Sequence, residues 1–240
     1  MPMRSSAFRF TLPRILSVLA ALVIALSLRA AEPAAAPAPA TRTIYLIRHG
    51  NYDPADKKSD GGTLTPLGIA QARLVAARLR SLPVNFTSLH ASTMTRADQT
   101  ARIIQQSLSQ LTAQMSPLLR ECTPRSRRAD LMAKEKPADL DAAEAQLNQA
   151  FATYFVPARG ADQHDILVCH GNVIRYLVTK ALGVDTQAWL NLSLAHCSLT
   201  IIQVAPDGSF KVLAFADAGH IPPNLQSGLT AKADPQLVAP

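Results

Sequence analysis

Twice in this chain a run of apolar, β-forming residues ends on a histidine followed by glycine. The first is Ile44-Tyr45-Leu46-Ile47-Arg48-His49-Gly50 and the second is Asp165-Ile166-Leu167-Val168-Cys169-His170-Gly171. Each run is too short for a helix, and the glycine lets the chain turn with no Cβ in the way, so each reads as a buried strand. In an open α/β sheet, ligands bind at the carboxyl ends of the strands, which is where both histidines stand.

A chain of 240 residues, 48% hydrophobic and 17% charged, buries a sizeable core once its non-globular ends are set aside, which predicts one domain of ordinary size. The formal charge is +7, but Arg4, Arg9, Arg14 and Arg29 lie in the first 31 residues, which contain no acid. The remainder is only mildly basic and has no Lys/Arg stripe interleaved with aromatics, so nucleic acid is excluded in favour of a local anion pocket. The three cysteines, Cys122, Cys169 and Cys197, are an odd number without C-x-x-C spacing, which argues against a disulfide framework and a zinc site.

Residues 1–31 join a basic start to the uncharged apolar run Ile15 to Leu28, fourteen residues long. That is short for a bilayer span and suits a signal peptide, with Ala30 and Ala31 as candidate cleavage positions. Export to the periplasm is expected. Arg29 sits where small residues are preferred, so an uncleaved signal anchor, the one membrane contact expected, is the alternative. Residues 32–41 are an Ala/Pro-rich spacer, residues 42–223 the domain and residues 224–240 a loosely packed tail.

Within the domain, Thr65 caps a helix that begins at Pro66 and runs to about Ser81. Val84 to Ala91 reads as a strand, and Thr95 or Ser92 caps the helix after it. Arg96 falls in that helix's first turn, where the dipole disfavours a cation, so either an anion binds beside it or it pairs with Asp98. Arg125, Arg127 and Arg128 lie in a basic, turn-rich segment that opens a small cap, and with Lys134 and Lys136 they are compatible with an acidic substrate or with a solvated face. Ala138 to Phe155 and Val173 to Leu182 read as helices, and Ser198 to Val204 with Phe210 to Ala216 as a hairpin. His90 is assigned to packing, His164 to a loop and His196 to a polar turn, and His220 follows the last strand. Trp189 is a core anchor.

Two strand-end histidines, Arg48 beside one of them, Arg96 at a helix start and Glu121 after a turn make a cationic pocket with one potential proton donor. That combination suits phosphoryl transfer, which needs fixed positive donors on the equatorial oxygens, an in-line nucleophile and an acid for the leaving oxygen. Arginines around a histidine disfavour its protonated form and leave it a neutral nucleophile.

These residues resemble the histidine phosphatase (phosphoglycerate mutase-like) superfamily. The resemblance runs from about Thr43 to Pro223. It rests on Leu46-Ile47-Arg48-His49-Gly50, Leu64-Thr65-Pro66-Leu67-Gly68 with Gln71-Ala72, Ser92-Thr93-Met94-Thr95-Arg96-Ala97 with Thr100-Ala101, Leu119-Arg120-Glu121, and Cys169-His170-Gly171-Asn172-Val173-Ile174-Arg175. Within the superfamily the chain is most similar to the mitochondrial serine/threonine phosphatase branch and its bacterial relatives. The resemblance implies a three-layer α/β/α domain with a mostly parallel central sheet and a small cap insertion. It implies a phosphatase that works without metal or other cofactor, with His49 as the nucleophile, Arg48, Arg96 and His170 as the phosphate clamp, and Glu121 as the proton donor.

A mutase would share this pocket, but the short interval between Glu121 and His170 ranks it below a phosphatase. A non-catalytic phosphate-binding module and a structural protein are the other rivals, and intact His49 and Glu121 argue against both. For Glu121 the bland alternative is a solvated loop carboxylate. A phosphorylated small molecule and a phosphoprotein both stand as substrates, and the sequence sets no oligomeric state.

Overall fold

The computed structural model describes residues 39–229, so the expectations for residues 1–31 lie outside the described residues. The strands are β1 (Pro39–Ala40), β2 (Arg42–Arg48), β3 (Ser88–Ser92), β4 (Ala113–Ser116), β5 (Ala158–Arg159), β6 (Gln163–Cys169), β7 (Leu199–Val204) and β8 (Phe210–Asp217). The helices are α1 (Pro66–Arg80), α2 (Thr95–Ser107), α3 (Ala129–Met132), α4 (Pro137–Tyr154) and α5 (Gly171–Ala181).

Six strands form one sheet in the order β4-β3-β6-β2-β7-β8. The first four are mutually parallel, while β7 runs antiparallel to both β2 and β8. The two strand-histidine units are therefore adjacent: β2 pairs with β6 in register from Arg42 opposite Gln163 to Arg48 opposite Cys169. That register puts His49 and His170 side by side at the same rim.

Successive side chains of a strand point to opposite faces, so β2 feeds two separate cores. Tyr45 and Ile47 pack with Ala72, Val75 and Leu79 of α1 and with Ala97, Ala101 and Ile104 of α2. Ile44 and Leu46 pack with Leu147 and Ala150 of α4 and with Val173, Ile174 and Leu177 of α5. Alternate residues of one strand thus build the two outer layers of an α/β/α sandwich. Ile44, Leu46, Ile47, Ile166 and Leu167 are fully buried, and burial of each such side chain contributes about 1.5–3 kcal/mol.

Helix α1 has the expected capping chemistry, with Thr65 Oγ1 accepting from the Gly68 amide and Pro66 in the first turn. Elsewhere the local reading is corrected. Met94, not Thr95 or Ser92, stands at the N-cap of α2, and Ser92 Oγ instead accepts from the Met94 amide. His164 lies in β6, where Tyr45 Oη approaches its Nδ1 at 3.2 Å. The short strand β4 carries no apolar alternation and sits at a sheet edge. Pro39–Ala40, assigned to the spacer, pairs antiparallel with Ala158–Arg159.

The basic segment of the cap is not a free cationic face. Arg125 is paired with Asp141 and Glu144, Arg127 with Asp185 and Arg128 with Asp130, all within 2.8 Å. Residues 224–229, expected to be loosely packed, run back across the sheet rim. Gln71 Nε2 donates to Leu225 O at 2.7 Å, and the His196 amide donates to Ser227 O at 2.8 Å.

Candidate active site

Four elements end at one place. Strand β2 delivers Arg48 and His49, the first turn of α2 delivers Arg96, β6 and α5 meet at His170, and the turn after Pro117–Leu119 delivers Glu121. The approach at the end of β2 is close: a Cβ on Gly50 would stand 2.6 Å from Gly68 O, and one on Gly68 would stand 1.9 Å from Asn51 O. Glycine at both positions lets the strand end sit directly on the start of α1.

His49 is buried, and its Nδ1 lies 2.8 Å from Gly50 O, an acceptor, so Nδ1 carries the proton and Nε2 keeps its lone pair. Arg96 Nε donates to that Nε2 at 3.0 Å. Burial, reinforced by His170, Arg96 and His196, holds the His49 pKa well below the ordinary histidine value. Charge repulsion alone was expected to keep it neutral, but burial is the larger cause. The ring of His170 stands 5.0 Å from that of His49. Burial, followed by Arg96 and Arg48, holds His170 neutral as well.

Arg48 has two distinct edges. Its Nη1 donates to Leu194 O and to Gly228 O, each at 2.7 Å, while its Nε is buried without a partner. One edge is anchored on backbone and the other is left for a ligand. That free edge faces the start of α5, where a Cβ on Gly171 would come within 3.5 Å of Nε. No acidic residue occupies the first turn of α5, so the helix N-terminus adds unopposed amide donors beside the arginine.

Arg96 is buried although it is the second residue of α2. The Asp98 alternative fails because Asp98 pairs with Arg102 one turn on, at 2.9 Å. Arg96 Nη1 donates to Gly61 O, and its guanidinium carbon sits 4.4 Å from the centre of the Tyr52 ring. A depression lined by Tyr52, Pro54, Lys57, Gly61 and Arg96 opens beside it.

Glu121 is not a solvated loop carboxylate. Its Oε1 is buried with no hydrogen-bond partner. Burial pushes its pKa up to about 7, against the opposing pull of Arg96, Arg48 and the Asn172 backbone amide. It is thus poised to hold a proton near neutrality and to give it up. Cys122 beside it is half-buried, and burial pushes its thiol up to about 12, so it stays protonated.

The structure therefore brings His49, Arg48, Arg96, His170 and Glu121 to one rim, and it adds residues that sequence reading missed. His196, read as part of a polar turn, is buried with its ring 5.4 Å from that of His49. Tyr52 stands edge-on to His49 at 5.2 Å. Ser92 Oγ lies 2.8 Å from His170 Nε2, and Ser227 Oγ lies 2.9 Å from His196 Nδ1. His220 stands behind the site, its Nε2 3.0 Å from Cys197 O.

Comparison with known proteins gives this arrangement its relatives. The mitochondrial serine/threonine-protein phosphatase Pgam5 of Caenorhabditis elegans is 39% identical over 193 residues, covering 78% of this chain and 66% of that protein. The mitochondrial serine/threonine-protein phosphatase of the same name from Homo sapiens is 37% identical over 192 residues, with the same two coverages. The chain thus spans just under two thirds of the length of these two relatives. Among solved structures, Bacillus stearothermophilus YhfR superposes with a TM-score of 0.60 at 22% identity, over 75% of this chain and 100% of that one, and shares the fold. These relatives correct one expectation: they are mitochondrial proteins, not exported ones, so neither the signal peptide nor the periplasmic location stands. Residues 44–154 and 125–218 match the histidine phosphatase superfamily (branch 1), and the chain belongs to that family.

Proposed function

We propose that the domain hydrolyses phosphomonoesters through a phosphohistidine on His49, with phosphoserine and phosphothreonine proteins as the substrate class. The observation that carries the reading is the state of His49. Its one proton is committed to Gly50 O, and its Nε2 lone pair points at Arg96. A neutral imidazole so held is a nucleophile with a cation waiting at the point of attack.

In the first step Nε2 attacks phosphorus in line, the bond from phosphorus to the ester oxygen breaks, and the departing oxygen takes the proton of Glu121. The free edge of Arg48, the Arg96 guanidinium and His170 hold the equatorial oxygens, whose charge grows toward the transition state. In the second step the Glu121 carboxylate accepts a proton from water, whose oxygen attacks phosphorus. The P–N bond then breaks, and neutral His49 and orthophosphate are released. Glu121 ends protonated, ready for the next cycle.

The substrate class is supported by the two phosphatase relatives, whose names specify protein phosphoserine and phosphothreonine. The cap arginines Arg125, Arg127 and Arg128 are ion-paired and so make no free stripe that would restrict substrates to polyanions. The test is a panel assay of the full chain on phosphopeptides, sugar phosphates, nucleotides and phosphoglycerate, with and without chelator. It is followed by labelling with a ³²P-phosphopeptide, quenched in alkaline detergent. Phosphate release without a base-stable, acid-labile label on His49 would overturn the mechanism. Preference for phosphoglycerate, with transfer rather than release, would move the chain to the mutases.

A further inference from the structure

We infer that His196 is a further phosphate-binding residue, set as a donor by Ser227 of the returning segment 225–228. The inference rests on the phosphatase reading above and adds a contact which that reading does not contain.

Counting hydrogens fixes the tautomer. Ser227 Oγ has one proton and two lone pairs. Gln71 Nε2 donates to it at 2.9 Å and Asn51 Nδ2 at 3.4 Å, and amide nitrogens only donate. Both lone pairs are taken, so the hydroxyl proton goes to the remaining neighbour, His196 Nδ1 at 2.9 Å. His196 is neutral, since burial followed by Arg48 and Arg96 pushes its pKa down to about 3. With Nδ1 accepting, the single ring proton lies on Nε2.

That Nε2 is buried with no partner among the described residues, on a residue only 6% exposed. A buried donor without an acceptor is costly, and such groups are rare unless something fills them. The His196 ring stands 5.4 Å from that of the nucleophile and 6.4 Å from Tyr52. An anion seated against His49 and the free edge of Arg48 is the acceptor the site offers.

The segment that sets His196 also holds Arg48, through Gly228 O. Gly228 has φ +82, and a Cβ there would stand 2.7 Å from His196 Nδ1 and 2.8 Å from Arg48 Nη1. Backbone at this position is pressed against both side chains, so Ser227 and Gly228 act as positioning residues.

The experiment measures orthophosphate affinity by calorimetry, kcat/KM on p-nitrophenyl phosphate and thermal melting on the full chain. It compares the parent with His196→Phe, Ser227→Ala, Gly228→Ala and Gly208→Ala. Gly208 is the control, having φ +83 with nothing within 4 Å of its would-be Cβ. It carries the same backbone strain far from the site. We expect His196→Phe, Ser227→Ala and Gly228→Ala each to weaken orthophosphate by about tenfold, the effect of one charge-assisted hydrogen bond. Gly208→Ala should bind as the parent does. Nitrogen-15 spectra should show His196 protonated at Nε2 in the parent and mixed between its nitrogens in Ser227→Ala.

The inference falls if Ser227→Ala and Gly228→Ala bind orthophosphate within twofold of the parent. It also falls if His196 carries its proton on Nδ1, a reading that holds even where His196→Phe does not fold. A parent that binds orthophosphate but turns over no ester overturns the hydrolase reading alone. A parent that binds none overturns both.

Discussion

The Nε of Arg96 rests 3.0 Å from the Nε2 of His49, so the cation that would receive the phosphoryl group is placed directly on the lone pair that would attack it. An entering phosphate must take over the guanidinium N–H groups before Nε2 is free. In doing so it neutralises a charge buried at the start of α2. Under the proposed mechanism clamp and nucleophile would thereby be coupled: the lone pair would be released when an anion is present to hold the arginine.

The first prediction concerns that pair. His49→Ala should abolish turnover and labelling while shifting the melting temperature little, because His49 spends its polar contacts on Gly50 O and Arg96 alone. A rate above a tenth of the parent's would exclude His49 as the nucleophile. Arg96→Ala should lower kcat/KM by roughly 10²-fold or more, in the range seen for loss of one transition-state donor.

The second prediction concerns His170. Ser92 Oγ accepts from the Met94 amide at 3.2 Å and lies 2.8 Å from His170 Nε2. We expect the hydroxyl to donate to Nε2, which would place the His170 proton on Nδ1, buried without a partner among the described residues. Ser92→Ala should release the tautomer and raise KM more than it lowers kcat, whereas Ser92→Thr, which keeps the hydroxyl, should restore most of the affinity. An unchanged KM in the alanine variant would reduce Ser92 to packing.

Much of this site was legible in the sequence, and the exceptions share a physical cause. His49 and His170 announce themselves because an apolar run of strand length, a histidine and a glycine are consecutive, and Arg96 because a cation opposes the dipole of its own helix. The unbroken apolar run of β2 likewise fits a strand covered on both faces. His196 has no such frame: Leu194-Ala195-His196-Cys197 contains no strand or helix period. It reaches the pocket through a left-handed backbone at Cys197 (φ 54) and through contacts to Ser227. Ser227 and Gly228 read as tail because they bury polar atoms instead of apolar ones. Arg127 of the cap pairs with Asp185, which lies far from it in sequence. Composition cannot show such a pair.

The third prediction is a stability difference. Glu121 has its pKa raised from 4.5 to about 7 in the folded chain. The native state therefore keeps a proton that the unfolded state loses as pH rises from about 4.5 to about 7. Stability contributed by the neutral carboxyl is complete below that window and lost above it, up to about 3 kcal/mol. Glu121→Gln removes the dependence, so the inactive variant should melt a few degrees above the parent at pH 8 and level with it at pH 4. Equal melting temperatures at pH 8 would show the carboxyl to be solvated.

The last prediction is the role of Glu121 in chemistry, read from the leaving group. A protonated carboxyl helps only where the departing oxygen needs a proton, so an alkyl phosphate depends on it and a nitrophenyl ester, which leaves as a stable anion, depends on it less. Because the pKa of Glu121 is about 7, kcat/KM for the alkyl ester should fall as pH rises through that value, while the nitrophenyl ester should show little fall. His49, held neutral far below its ordinary value, adds no titration on the acid side of that limb. Glu121→Gln should slow phosphoenzyme formation from the alkyl ester by roughly 10²-fold or more and erase its falling limb. The comparison belongs on the burst phase of a rapid-mix experiment, since the same carboxylate would activate water in the second step and so slow both esters at steady state. Equal burst losses for the two esters, or a falling limb that persists in the glutamine variant, would remove Glu121 from the acid's place and leave its buried proton to structure alone.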